Sequence, residues 1–211
     1  MNILTIYEQC KIPENLQLHM LRVAAVGKII CDHSSIQSID SNLIIKTLLL
    51  HDMGNIIKFN FSNTSMFSQE DRAKVDSYKT TQAEFMRKYG NDADVATIQI
   101  IKEITSDERI IELCKNCHGE MAHKYVNGEF WNERISYYAD MRSGLNGILS
   151  VDQRFDDLKN RYPDELEKLE DYHIACKKIE ARIQDMCGQD LQMLDDAMLE
   201  SEFDALKRVE I

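Results

Sequence analysis

What this chain has little of narrows its class. Its 211 residues include only 2 prolines, 8 glycines and a single tryptophan. So few turn-forming residues do not suit a fold of many short strands, and the abundance of Leu, Ile, Met, Glu, Asp and Lys favours helices. No stretch approaches the roughly 18 apolar residues of a membrane span. The opening Met1-Asn2-Ile3-Leu4-Thr5-Ile6-Tyr7-Glu8 has neither the basic start nor the long apolar core of a secretory signal. Cys10, Cys31, Cys114, Cys117, Cys176 and Cys187 are therefore expected as reduced thiols in a soluble, cytoplasmic protein. Positive charge is also scarce. With a formal charge of −11, general nucleic-acid binding, which needs a basic face, is not expected. The acid is concentrated: residues 151–211 hold 17 Asp/Glu against 9 Lys/Arg, which leaves the first 150 residues nearly neutral.

What is present is apolar periodicity. Pro13-Glu14-Asn15 opens a helix in which Leu16, Met20, Val23, Val26, Gly27 and Ile30 recur at helical spacing, and His19 shares their stripe, so it is expected to point inward. Asp40-Ser41 starts a second helix. Its run from Leu43 to Leu50 leads into His51-Asp52, and Gly54-Asn55 marks an end or kink before Ile56-Ile57-Lys58-Phe59. Residues 60–69 lack a clear period and read as a loop able to cover a site. Further helices are expected at about 70–89, 92–104, 107–117 and 129–148, the last carrying Asp140. Ser150 with Gln153 makes a capping box for a shorter helix ending near Tyr162-Pro163. A long charged helix over about 164–187 and a final helical stretch from about 190 complete the chain. The architecture expected is all-α: a metal-binding helical domain over 1–150 and an acidic helical extension over 151–211 packed on the same domain.

The most informative residues are His51 and Asp52, in Leu48-Leu49-Leu50-His51-Asp52-Met53-Gly54-Asn55. A leucine run marks burial, yet it ends in an imidazole and a carboxylate. Burying one neutral polar group unpaired costs about 2–7 kcal/mol, and a charge costs more. Something must compensate the pair, and a divalent cation would serve both. His19 and Asp140 lie inside two other apolar helical patterns. Helices pack about 8–10 Å apart, so inward side chains from three of them can meet at one point. Two imidazole nitrogens and two carboxylate oxygens suit Mn, Fe, Co, Ni or Zn, and leave positions open for water and substrate; Mg stays among the candidate ions.

The order His19, His51-Asp52, Asp140 resembles the HD superfamily of metal-dependent phosphohydrolases. Leu18-His19-Met20-Leu21-Arg22-Val23-Ala24 is similar to its first-histidine helix, Leu49-Leu50-His51-Asp52-Met53-Gly54 to its signature, and Tyr137-Tyr138-Ala139-Asp140-Met141-Arg142 to its final-aspartate helix. The resemblance covers roughly residues 14–150. It implies an HD-domain-like helical bundle with one divalent metal held by His19, His51, Asp52 and Asp140. It further implies hydrolysis of a phosphate ester, a nucleotide or related small phosphate compound, by a metal-activated water that Asp52 helps to orient. A non-catalytic metal- and nucleotide-binding sensor or adaptor of the same fold is the alternative. Asn55 keeps it open, because many relatives carry lysine or glutamate three residues after the motif aspartate; Lys58 is the candidate substitute. Relatives with two metals carry additional histidines before the last aspartate, and none occurs here between His51 and His118, which points to a single metal. Arg22, three residues from His19 on nearly the same helix face, is the arginine favoured to hold a phosphate. Arg142 faces elsewhere unless its helix ends there.

Cys114-Lys115-Asn116-Cys117-His118 spells the C-x-x-C-H of covalent haem attachment. Without an export signal, a second C-x-x-C for zinc or a βα unit for a redox pair, the two cysteines read as small apolar residues near a helix end. His118 falls where some HD relatives place an additional active-site histidine, so by resemblance it joins Arg22, Lys58 and Asn55 as substrate-facing. His33, His123 and His173 read as surface or structural. In the tail, Leu166, Leu169, Tyr172, Cys176, Ile179 and Ile183 recur every three or four residues. That amphipathic face packs on the core or, its period being nearly heptad, joins two copies in a homodimer.

Overall fold

The apolar stripe that carries His19 becomes the central helix. In the computed structural model, which describes residues 1–62, 67, 69–117, 119–144 and 147–211, α1 (Ile3–Gln9) leads into α2 (Glu14–Asp32). α2 buries Met20, Val23, Ala24, Val26 and Ile30 completely. Full burial of a Val, Ile or Met side chain stabilises by about 1.5–3 kcal/mol, so this face anchors the fold. It packs most extensively on α3 (Ser41–Leu50). α3 begins where Asp40 accepts the Leu43 N–H at 3.0 Å, satisfying one of the donors that every helix start leaves open.

After α3 the chain turns through residues 51–54 into a 3-10 turn, Asn55–Lys58. The stretch expected as one helix over 70–89 is two, α4 (Gln69–Ala73) and α5 (Val75–Tyr89), broken at Lys74. Then follow α6 (Ala93–Ile104), α7 (Glu108–Lys115), α8 (Ala122–Val126) and α9 (Trp131–Met141). The expectation of a helix from 129 to 148 needs correcting: α9 stops at Met141. Beyond it Ser143 pairs with Ile148 in an antiparallel bridge, closed by Gly144 N–H to Gly147 O at 2.8 Å and Leu149 N–H to Arg142 O at 2.7 Å. Most of the loop expected over 60–69 lies outside the described residues. Within its described part, the rings of Phe61 and Phe67 stack at 5.8 Å.

The capping box forms as the spacing predicts. Ser150 Oγ accepts the Gln153 N–H, and Gln153 Oε1 accepts the Ser150 N–H, opening α10 (Val151–Arg161). A 3-10 turn, Pro163–Glu165, leads into α11 (Leu166–Met186), and α12 (Asp196–Leu206) closes the chain. α11 buries Ala175, Cys176, Ile179 and Ile183 and packs on α8, α9 and α10, while α12 lies along α2. Among the described residues, one apolar cluster extends from Ile3 to Leu206. No β-strand occurs among the described residues, and none of their helices is long and apolar enough to cross a membrane.

Candidate metal centre

The last carbonyls of α3 have no partners further along the helix, and side chains take them up. Tyr7 Oη donates to Leu49 O at 2.6 Å. His51, the first residue past the helix, bonds through Nδ1 to Leu48 O at 2.7 Å. A carbonyl only accepts, so Nδ1 carries a proton and Nε2 is the atom left to face the interior. That Nε2 is buried and has no hydrogen-bond partner among the described residues. Three residues on, Gly54 lets α6 come close: a Cβ there would stand 2.4 Å from Ala93 O and 2.7 Å from Thr97 N. The Gly54 N–H instead donates to Thr97 Oγ1 at 2.9 Å.

Four polar side chains converge in front of His51 Nε2. Asp140 Oδ1, from α9, stands 3.6 Å from it and 3.4 Å from His19 Nε2 of α2. Asp52 Oδ2 lies 3.3 Å from His19 Nε2 and 3.8 Å from His51 Nε2. The ligand atoms of His19, His51 and Asp140 all fall within 4.8 Å of one another, and Asp52 joins this trio through the two histidines. Neighbouring ligands on one ion, each about 2.0–2.2 Å from it, sit roughly 3.0–3.5 Å apart, close to the spacings found. The His51 side chain is 6% exposed, whereas His19, Asp52 and Asp140 are 21–23% exposed. The cluster is thus closed on the His51 side and open to solvent on the other.

Electrostatics link the four groups. Burial opposes a charge on His51, yet the Asp52 and Asp140 carboxylates outweigh it and raise the imidazole to about 9. His19 is raised against the same burial penalty by Asp140 and Asp52. Burial would push Asp140 up, but the two histidines hold it well below the usual carboxylate range, and they lower Asp52 in the same way. Two carboxylates drawn together in a buried pocket need positive charge between or beside them. A divalent cation can supply it, and the orphaned His51 Nε2 together with a mixed N/O donor set fits one.

The other residues singled out from the sequence have mixed placements. Arg22 has its Nε buried without a hydrogen-bond partner among the described residues, 3.9 Å from Asp196 Oδ1 of α12. Lys58 is tied to Asp94 at 2.9 Å. Asn55 opens the 3-10 turn, its N–H donating to Asp52 O at 2.9 Å, and its side chain makes no hydrogen bond among the described residues. His118 lies outside the described residues. Arg142 is nearly fully buried and donates to Leu149 O, Tyr138 Oη and Leu191 O; it is a structural arginine. Cys114 and Cys117 are buried, and burial raises both thiols. His123 and His173 pair with Asp171 and Asp152 at the surface. One contact has no counterpart in the sequence reading: Ser143 Oγ lies 3.2 Å from His19 Nδ1. Its only local signal is a hydroxyl three residues after Asp140.

The fold and this cluster define a class: all-α proteins whose inward-facing histidines and aspartates, carried on separate helices, can hold a divalent cation. The chain belongs to the HD domain family, whose model matches residues 17–151, well over half of its length. That family consists mostly of metal-dependent phosphohydrolases. No curated protein matches the chain, and no solved structure does.

Proposed function

We propose that this protein hydrolyses a phosphate ester, of a nucleotide or another small phosphate compound, at one divalent metal held by His19, His51, Asp52 and Asp140. The observation that carries the reading is His51 Nε2, buried, without a hydrogen bond among the described residues, and 3.6–3.8 Å from two carboxylates. A divalent cation supplies Lewis acidity toward a phosphoryl oxygen and lowers the pKa of water toward ~7. The chain's own residues do the rest. The Leu48 carbonyl fixes the His51 ring, and Asp52, open to solvent on one side, orients the water that attacks phosphorus. Arg22 is the cation best placed for a phosphate, one helical turn beyond His19 and without a hydrogen bond among the described residues. Lys58 reaches the substrate only by exchanging Asp94, and Asn55 can donate a hydrogen bond but no proton.

The engagement of Lys58 and the neutral side chain of Asn55 favour one second reading, a sensor that binds metal and nucleotide without turnover. Phosphate release from a panel of nucleotides and small phosphate esters, with Mn²⁺, Co²⁺ or Ni²⁺ added, separates the two. Metal-dependent release that disappears in Asp52→Ala is the expected result. No release from any compound by a wild type that still binds metal would move the conclusion to the sensor.

A further inference from the structure

The segment matched by the HD family ends at residue 151, yet the metal centre is tied to the chain beyond it. The link runs through the turn after Asp140. Ser143 and Ile148 face each other there as a non-hydrogen-bonded antiparallel pair, because the closing bonds are made by their neighbours, Gly144 to Gly147 and Leu149 to Arg142. In such a pair the N–H groups point away from the partner strand. The Ile148 N–H therefore needs an acceptor elsewhere, and Asp196, the first residue of α12, provides it: Oδ1 accepts at 3.0 Å. The carboxylate lies close against this backbone. A Cβ at Gly147, where φ is +154°, would stand 2.4 Å from Asp196 Oδ2, so the approach requires glycine. The same Oδ1 is 3.9 Å from Arg22 Nε. A second stitch is parallel to the first, Arg142 Nη1 donating to Leu191 O at 2.8 Å.

On the inner side of the turn, Ser143 is 1% exposed, and its hydroxyl meets His19 Nδ1 at 3.2 Å. His51 has its Nδ1 fixed by Leu48 O; Ser143 takes the corresponding place for His19, its hydroxyl able to accept from Nδ1–H when Nε2 is the atom that holds a metal. A ring whose Nδ1–H is held by an oxygen presents Nε2 as its free donor atom, in one orientation. A connection thus runs from α12 to a metal-ligand candidate: Asp196 bonds to Ile148, the flanking Gly144–Gly147 and Leu149–Arg142 bonds hold Ile148 opposite Ser143, and Ser143 meets His19.

We propose that Ser143 is the positioning residue for His19, and that Asp196 of the C-terminal extension positions Ser143 by pinning its turn, so that the extension forms part of the metal centre. The inference rests on the functional reading above, in which His19 holds the cation. It is tested on the full chain, stripped with chelator and titrated with Mn²⁺ by calorimetry, with the Co²⁺ absorption spectrum as the report on coordination geometry. Ser143→Ala is expected to weaken Mn²⁺ binding by about 10- to 100-fold, the usual consequence of removing the outer partner of a metal histidine. It should also change the Co²⁺ spectrum while the melting temperature of the metal-free protein stays close to wild type. Asp196→Ala should weaken binding in the same direction. Asp196→Asn, which keeps an acceptor for the Ile148 N–H, should restore it.

Wild-type affinity and spectrum in both alanine variants would overturn the proposal while leaving the metal site itself standing. Loss in Asp196→Asn equal to that in Asp196→Ala would also overturn it, by showing that charge beside Arg22, rather than the hydrogen bond to the turn, is what matters. If Asp196→Ala does not fold, Ser143→Ala, which removes one buried oxygen, decides the question. A wild type that takes up neither Mn²⁺ nor Co²⁺ would refute the proposal together with the functional reading beneath it.

Discussion

Asp140→Asn probes the centre most directly. Asp140 Oδ1 stands between the two imidazoles, 3.4 Å from His19 Nε2 and 3.6 Å from His51 Nε2, and asparagine keeps the shape and one oxygen while removing the charge. A ligand that binds only the folded state stabilises it by RT ln(1 + [L]/Kd), so a site of about 10 µM affinity gains about 2.7 kcal/mol at about 1 mM metal. For a chain of this size each kcal/mol moves the melting temperature by about 2–4 °C, so the wild type should melt about 5–11 °C higher with metal than with chelator. Loss of an anionic ligand that weakens binding to about 1 mM leaves about 0.4 kcal/mol, a shift of about 1 °C. Melting followed by circular dichroism, with Mn²⁺, Co²⁺, Ni²⁺ and Zn²⁺ in turn, reads the effect. A wild-type melting temperature that none of these ions raises, or an asparagine variant that responds as fully as the wild type, would refute the assignment of the cluster as a metal site.

Three further outcomes follow from the geometry. Gly54→Ala forces a Cβ against the α6 backbone at 2.4 and 2.7 Å; overpacking of this kind costs about 1–3 kcal/mol, measurable by urea unfolding, and it should reduce the metal-induced rise in melting temperature because Asp52 is two residues away. Arg142→Met removes three hydrogen bonds from a nearly fully buried guanidinium; the expected loss is about 3–5 kcal/mol, and a change below about 1 kcal/mol would show that the turn after Asp140 does not depend on it. Ser150→Ala breaks the capping box of α10; urea unfolding should show stability lower by about 1 kcal/mol with metal uptake unchanged, and a loss of uptake would show that the cap also holds the turn after Asp140.

Local signals explain what was legible. Asp40 and the Ser150–Gln153 pair act on N–H groups within three residues of themselves, so their caps can be read from neighbours in the chain. His19 and the His51-Asp52 pair stood out because each interrupts an apolar stripe, and a polar intruder on a buried face demands compensation. Lys74 and Met141, where helices end, carry no such mark. The break after Met141 depends on a guanidinium that folds back to Leu149 O and reaches Leu191 O, and periodicity alone carries the helix onward to 148. The difference between the two arginines has the same origin: Arg142 found carbonyl partners at Leu149 and at the distant Leu191, while Arg22, without a hydrogen bond among the described residues, lies 3.9 Å from the Asp196 carboxylate.

By itself, then, the sequence determined the all-α class, the starts of α2, α3 and α10, and the residues able to ligate a metal, because helix formation and capping act over three or four positions. Only the tertiary structure decided which atoms face one another: that His51 turns Nε2 inward, that α6 presses on Gly54, and that Ser143 reaches His19 across 124 positions of sequence while Asp196 reaches Ile148 across 48. Such contacts come from the packing of whole helices, whose apolar stripes say that a face is buried but not what it is buried against.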